Sequence, residues 1–450
     1  MRELLADVTD RALGYIEGLD ERPVAPAAED VERLAQLGGP LPDEPADPRA
    51  VLRMLDEIAS PATVATTGRR YFGFVTGGTL PAALAANMLA GVWDQNGAYR
   101  VMSPVAATLE EISAAWLCDV LGLPTDAGAA FTTGATMANL SALAAARHAL
   151  LAKSGWNVEE DGLFGAPPIR VVVGEEVHAS VLKALSILGL GRARVERVPV
   201  DDQGRMRAEA LPDLSADTIV CIQAGNVNTG AFDPADAVCA AAHEAGAWVH
   251  VDGAFGLWAA ASPHLSALVA GFAGADSWAT DAHKWLNVPY DSGIAFVRDA
   301  AHLRAAMTVG AAYLIAGDDR EPCHHTPDMS RRARGVEVWA ALRSLGRTGL
   351  ADLIGRCCRH AVRFAEGLRA TGFDVLNDVV LNQVLVSFGD AETTRRVIDA
   401  IQADGTCWFG STVWQGHTAM RISVSSWATT DEDVERSLHV VIGAAREAIG

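Results

Sequence analysis

A lysine stands between a histidine and a tryptophan in the run Asp281-Ala282-His283-Lys284-Trp285. The chain holds 36 lysines and arginines together, and only Lys153, Lys183 and Lys284 are lysine. Where a plain positive charge suffices, this chain uses arginine. Arginine stays protonated at any workable pH. A desolvated lysine can lose its proton and attack a carbonyl as an amine nucleophile. Lys153 follows the apolar run 140–151 and precedes Ser154-Gly155, the place of a cation at a helix C-terminus. Lys183 falls at a polar position on a helix after His178. Lys284 has no such structural reading.

Asp252 lies 32 residues upstream, at the end of the apolar run Trp248-Val249-His250-Val251 and before the small residues Gly253-Ala254. A lysine amine for the aldehyde and a carboxylate for the pyridinium nitrogen are what pyridoxal 5'-phosphate (PLP) requires of a protein. Asp-Gly is also an ordinary turn. Thr132-Thr133-Gly134-Ala135-Thr136 lies between the strand end Ala130-Phe131 and a helix from Met137. Glycine there lets backbone approach an anion, and hydroxyls with free N–H groups at a helix start bind phosphate. A threonine N-cap is the plainer reading of the same residues. His178 follows the run 169–173 and the acids Glu175-Glu176. Its imidazole suits stacking on a pyridine ring, and equally suits a helix cap.

These residues need a frame to bring them together. From about 80 to 300, helical patterns at 81–92, 104–122, 136–152, 179–189, 234–245 and 263–271 alternate with apolar runs at 169–173, 194–199, 218–223, 248–251, 277–280 and 293–297. That alternation predicts an α/β fold with a mostly parallel sheet covered on both faces. Ligands of such sheets bind beyond the carboxyl ends of the strands, where the polar residues fall. An amphipathic helix over 1–20, an extended Pro- and acid-rich arm over 22–48 and a helix over 48–59 precede this core. A helix over 335–370, strands at 373–376, 383–388 and 419–425, and helices at 391–404 and 430–448 follow it. The expected organisation is an N-terminal helical arm (1–80), a large ligand-binding domain (81–310), a loop region (311–335) and a small C-terminal α+β domain (336–450).

Composition narrows the function. The 450 residues are 50% hydrophobic and 20% charged, as in a globular protein. A net charge of −20 argues against nucleic-acid and anionic-membrane partners. No apolar stretch reaches the roughly 18 residues of a membrane span. The acids near Met1 do not suit a signal peptide. Seven cysteines without a Cys-x-x-Cys pair suggest a reduced, cytoplasmic protein with buried thiols.

Taken in order, Val249-His250-Val251-Asp252-Gly253-Ala254-Phe255, Ala275-Asp276-Ser277 and His283-Lys284-Trp285-Leu286 resemble the group II PLP-dependent amino-acid decarboxylases, which include the aromatic-amino-acid and glutamate decarboxylases. Tyr71-Phe72-Gly73-Phe74, the segment 103–110 and Met420-Arg421-Ile422-Ser423-Val424-Ser425 extend the resemblance over roughly 50–445. It implies a fold type I, PLP-dependent transferase-like large domain. It implies decarboxylation of an L-amino acid to its amine and carbon dioxide. Lys284 would hold PLP as a Schiff base, Asp252 would pair with the ring nitrogen, and His178 would stack on the ring beside Ala254. Gly134, Ala135, Thr136 and His283 would surround the phosphate. Trp93 and Tyr99 would border the substrate. A homodimer with shared active sites, wrapped by the arm, is the implied assembly.

Three departures stand out. Asp281 occupies the place of a family asparagine. Gly225-Asn226-Val227-Asn228 replaces a family Gly-Thr-Thr, so Asn226 or Asn228 is the expected partner of the ring hydroxyl. No tyrosine lies between 314 and 335, where the family carries a proton-donating one; Tyr313 matches an earlier position. His324 or His325 is the expected donor in its place. Arg421 is a candidate clamp for a substrate carboxylate. That arginine leaves aminotransfer, and the loop without tyrosine leaves aldehyde formation, as the alternative chemistry, with a non-catalytic PLP-fold binding protein the alternative class.

Overall fold

The computed structural model describes residues 1–309 and 320–449. The chain forms two compact units. One comprises Thr79–Val362 and Asn377–Val384, the other Met1–Gly78, Arg363–Leu376 and Leu385–Gly450.

The chain begins with α1 (Arg2–Glu17), α2 (Ala28–Arg33) and α3 (Pro48–Ala59). Asp47 caps α3 by accepting from Arg49 N–H, and Pro48 takes a first-turn position that needs no N–H. Helix α2 interrupts the stretch expected to be extended. Glu29 and Asp30 in its first turn and Arg33 in its last complement the helix dipole.

The larger unit contains α4 (Pro81–Trp93), α5 (Pro104–Val120), β1 (Gly128–Thr132), α6 (Ala135–Lys153), α7 (Val158–Asp161), β2 (Arg170–Gly174), α8 (Ala179–Ile187), β3 (Glu196–Val198), β4 (Thr218–Gln223), α9 (Ala235–Glu244), β5 (Trp248–Asp252), β6 (Ser277–Asp281), β7 (Gly293–Val297) and α10 (Ala300–Met307). The sheet order is β1-β7-β6-β5-β4-β2-β3. Strands β3, β2, β4, β5 and β6 are parallel, and β7 runs antiparallel to both β6 and β1. Strand β1 therefore points the same way as β6. Strands β4 to β7 are buried along their whole length, which is why they read as uninterrupted apolar runs. Helix α6 lays Ala138, Ala142, Ala145 and Ala149 into the same core as Val171, Ile219, Ala279 and Ala295. Small side chains let its axis lie close to the sheet.

After α11 (Gly335–Ala370) come β8 (Asp374–Val375), β9 (Gln383–Ser387), α12 (Ala391–Asp404), β10 (Gly410–Trp414), β11 (His417–Ser423) and α13 (Asp431–Ile449). The second sheet has the order β10-β11-β9-β8. Within the smaller unit, buried Arg70 pairs with Asp433 at 3.2 Å, and Phe72 packs on Phe364 and Phe409. The arm therefore belongs with the C-terminal elements, while residues 336–362 lie with the large sheet. This division differs from boundaries drawn along the chain.

Two local expectations fail. Residues 263–271 form no α-helix, only a 3-10 helix at Ser266–Val269, between Pro263 and a Gly271 in the left-handed region (φ 82°) against Asp236. The 335–370 helix is kinked at Gly346, whose φ is 60°.

Candidate active site

The parallel strands deliver their carboxyl ends to one edge of the sheet. Asp252 ends β5 and pairs in register with Ala279 of β6. Gly253 N–H donates to Ala279 O, and Asp281 N–H donates to Ala254 O. Lys284 follows the end of β6 by three residues. Asp252 and Lys284 thus lie beyond the carboxyl ends of adjacent strands, in the usual ligand crevice of such sheets. Gly293 of β7 pairs with Thr132 on one side and Asp281 on the other, which brings the start of α6 to the same edge. A Cβ on Gly293 would meet Gly134 Cα at 2.4 Å, so only glycine permits this approach.

Asp252 is 5% exposed and tightly held. Its Oδ2 accepts from Asn139 Nδ2 at 3.4 Å and Ser180 Oγ at 3.3 Å, and its Oδ1 from Ala254 N–H at 3.3 Å. Asn139 also donates to Ser180 Oγ at 3.1 Å, so its Oδ1 faces His250 Nε2 at 2.8 Å. Burial pushes His250 down to about 4, and the ring is neutral. Its Nε2 therefore carries the proton, and its Nδ1 accepts from Ser277 Oγ at 2.9 Å. Ser277 in turn accepts from Trp248 Nε1–H at 2.9 Å. A one-directional chain of donors thus runs from Trp248 to Asp252.

His178 caps α8, accepting from Ser180 N–H at Nδ1 (3.2 Å). Ser180 Oγ lies 2.7 Å from the same nitrogen. One hydroxyl therefore bridges His178 and Asp252. The cap and stacking readings of His178 are compatible, because capping engages a ring nitrogen and not a ring face.

Lys284 Nζ pairs with Asp281 Oδ2 at 3.0 Å. Asp281 Oδ1 accepts from Ala135 N–H at 2.5 Å, with His283 Nε2 3.6 Å away. His283 accepts from Ser292 N–H at Nδ1, and burial lowers its pKa. Tyr290, which spacing did not single out, stacks on the His283 ring at 4.3 Å. Gly134 adopts φ 157°, and a Cβ there would lie 3.0 Å from His283 Cε1. Thr136 lies in the first turn of α6.

After β4, Asn226 Oδ1 accepts from Asn228 N–H at 2.8 Å and Thr229 N–H at 3.2 Å. That fixes the amide, and its buried Nδ2 has no partner among the described residues. An orphaned buried donor at this edge fits a ring oxygen. Asn228 serves through its backbone in orienting Asn226. The α6 start, the Lys284 amine and the aligned Asp252 fit the phosphate, aldehyde and ring nitrogen of PLP.

Other expected residues are placed elsewhere. His325 Nδ1–H donates to Glu321 O at 3.1 Å, and burial with Arg320 nearby pushes its pKa down to about 3. It lines a cavity with Gly128, Ala129, Arg304 and Arg320, at the opposite end of β1 from Gly134. A neutral, buried imidazole there does not serve the crevice at the other end of the strand. His324 is half-buried and meets Tyr99 edge to face at 6.1 Å. Tyr99 is buried with Ala98 and Cys323, and Trp93 is exposed at the end of α4. Arg421 lies on β11 of the smaller unit, where burial lowers its pKa. Tyr313 and loop residues 311–319 lie outside the described residues. Asn139, Ser180 and His250 were missed as site residues; the only signal was that His250 stands two places before Asp252.

A family model described as the pyridoxal-dependent decarboxylase conserved domain matches residues 34–389. The tryptophan decarboxylase 1 of Oryza sativa subsp. japonica is 26% identical, over 98% of this chain and 93% of its own. The aromatic-L-amino-acid decarboxylase of Drosophila lebanonensis is 30% identical, over 83% of this chain and 97% of its own. The crystal structure of Oryza sativa TDC with PLP and tryptamine has a TM-score of 0.91 at 22% identity, covering 100% of this chain and 98% of that one. Mouse CSAD gives 0.89 at 21%, over 99% and 98%. These likenesses place the fold in type I.

Proposed function

The chain belongs to the pyridoxal-dependent decarboxylase family and is a PLP-dependent L-amino-acid decarboxylase, and we propose that it works through Lys284, Asp252 and His178. The observation that carries this assignment is that Lys284 and the aligned Asp252 lie beyond the carboxyl ends of adjacent parallel strands. When bound, the cofactor supplies an aldehyde for amines and a ring that takes up the electron pair left by departing carbon dioxide.

Lys284 would supply the amine that anchors the cofactor. Asp252, aligned by Asn139, Ser180 and Ala254, holds a proton at the ring nitrogen. His178 covers one ring face and excludes water there, beside Ala254. Asn226 Nδ2 donates to the ring oxygen. Gly134, Ala135, Thr136 and His283 seat the phosphate. Of the loop histidines, only the half-buried His324 stays a candidate proton donor, since His325 is neutral and lines a cavity at the far end of β1. Helix α1 buries none of its residues and exposes Leu5, Leu13 and Ile16, which supports a homodimer that covers them. The seven buried cysteines form no disulfide, which supports a reducing, cytoplasmic setting. Among the described residues no helix is long and apolar enough to cross a membrane.

The test is an amine-release screen over the natural L-amino acids, with products identified by mass spectrometry. Amine and carbon dioxide in equal amounts are expected. A keto acid or an aldehyde in place of the amine would overturn the reaction assignment. Lys284→Ala should lose both turnover and the visible absorbance of bound cofactor; an active, coloured variant would remove Lys284 from the mechanism.

A further inference from the structure

The backbone amide best placed for a phosphate oxygen is already held by one of the chain's own carboxylates. Asp281 Oδ1 accepts from Ala135 N–H at 2.5 Å at the start of α6, where N–H groups lack helical acceptors. Its Oδ2 holds Lys284 Nζ at 3.0 Å. The carboxylate is nearly closed off from water, with Asp281 2% exposed. The Cβ position of Gly134 lies 3.4 Å from the same Oδ1, so the carboxylate fills the concavity that this glycine opens.

We propose that Asp281 is a built-in competitor for the cofactor's phosphate, so that loading transfers Ala135 N–H from carboxylate to phosphate. Two anions cannot both receive one N–H at full strength, and in a water-poor pocket they repel. Lys284 is the same carboxylate's counter-ion, so pyridoxal, which meets the amine but not the phosphate seat, separates the two contacts. An amide at position 281 would carry neither the charge nor the ion pair. The protein therefore holds its cofactor less tightly than the rest of the site allows, and the loaded fraction follows the supply of cofactor. This inference rests on the assignment of the α6 start as the phosphate seat.

The test compares wild type with Asp281→Asn and Asp281→Ala, each as cofactor-free protein checked for folding by its melting temperature. Dissociation constants are measured for PLP, for pyridoxal, which lacks the phosphate, and for inorganic phosphate by thermal shift. Both variants should bind PLP and inorganic phosphate about tenfold tighter or more, the worth of one charge-assisted hydrogen bond. Pyridoxal affinity should change by less than about threefold, since the competition concerns the phosphate. Unchanged or weaker PLP binding in both variants would overturn the proposal. Equal tightening of PLP and pyridoxal would also overturn it, because the effect would then act through Lys284. A wild type that develops no visible absorbance with PLP would overturn the site assignment and this inference together. Normal wild-type absorbance with unchanged variant constants would overturn this inference alone.

Discussion

Asn139→Leu removes the hub of the hydrogen-bond chain behind Asp252 while keeping the side chain close to its original volume. Asn139 is fully buried and makes three contacts: Oδ1 to His250 Nε2, and Nδ2 to Ser180 Oγ and Asp252 Oδ2. Leucine leaves the His250 N–H without an acceptor, at about 1–3 kcal/mol. Losing the long bond to the Asp252 carboxylate costs about 1.5 kcal/mol more, the low end for a charged acceptor. Urea denaturation of the cofactor-free variant should therefore show a loss of about 2.5–4.5 kcal/mol. A carboxylate no longer aligned should bind PLP about tenfold more weakly, as about 1.4 kcal/mol of lost interaction implies. A double-mutant cycle sharpens the test. His250→Phe removes the other end of the same bond, so the double variant leaves no orphan between the two positions. It should be about 1–3 kcal/mol more stable than the sum of the single effects predicts. Strict additivity, or a single variant with stability and PLP affinity both unchanged, would refute the hub.

Arg331→Met should cost about 3–5 kcal/mol in urea denaturation, because Glu110 and Arg331 are both fully buried and Glu110 would be left with only the more exposed Arg320. Gly293→Ala should weaken PLP binding in an absorbance titration, since its methyl would collide with Gly134 Cα at 2.4 Å. Acid should destabilise the protein between about pH 6.5 and pH 4. Burial pushes His250 down to about 4 and His325 to about 3, so the unfolded chain takes these protons first. Stability from His250 is thus intact above pH 6.5 and falls by about 3 kcal/mol as pH drops to 4. Asp233, raised by burial to about 6, acts in the opposite sense, gaining stability as pH falls through 6. Denaturation midpoints of wild type and His250→Phe across this range check the sign; an equal slope in both would remove His250 from the account.

Lys284 and Asp252 were legible in the sequence because each stands at or just beyond the end of an apolar strand, and strand ends are local features of pattern. The helix 391–404 and the strands 218–223 and 293–297 were legible for the same reason. Strand β10 was not, because its Gly410-Ser411-Thr412-Val413-Trp414 run is mostly exposed and carries no apolar alternation. Its partner β11 follows through a two-residue turn at Gln415-Gly416, both at positive φ, which only the pairing of Trp414 with His417 makes plain.

What the sequence determined by itself was the set of reactive groups and the alternation that puts them at strand ends. Only the tertiary structure decided which of them meet. The order β6-β5-β4-β2 sets Lys284, Asp252, Asn226 and His178 along one edge, and the passage of α6 behind β5 and β6 brings Asn139 to His250 across 111 positions. The same packing sends His325 to the far end of β1, although its chemistry suited the reaction. Periodicity and propensity report on neighbours along the chain. Strand order and helix crossing follow from burying every apolar face at once, and no local pattern encodes that.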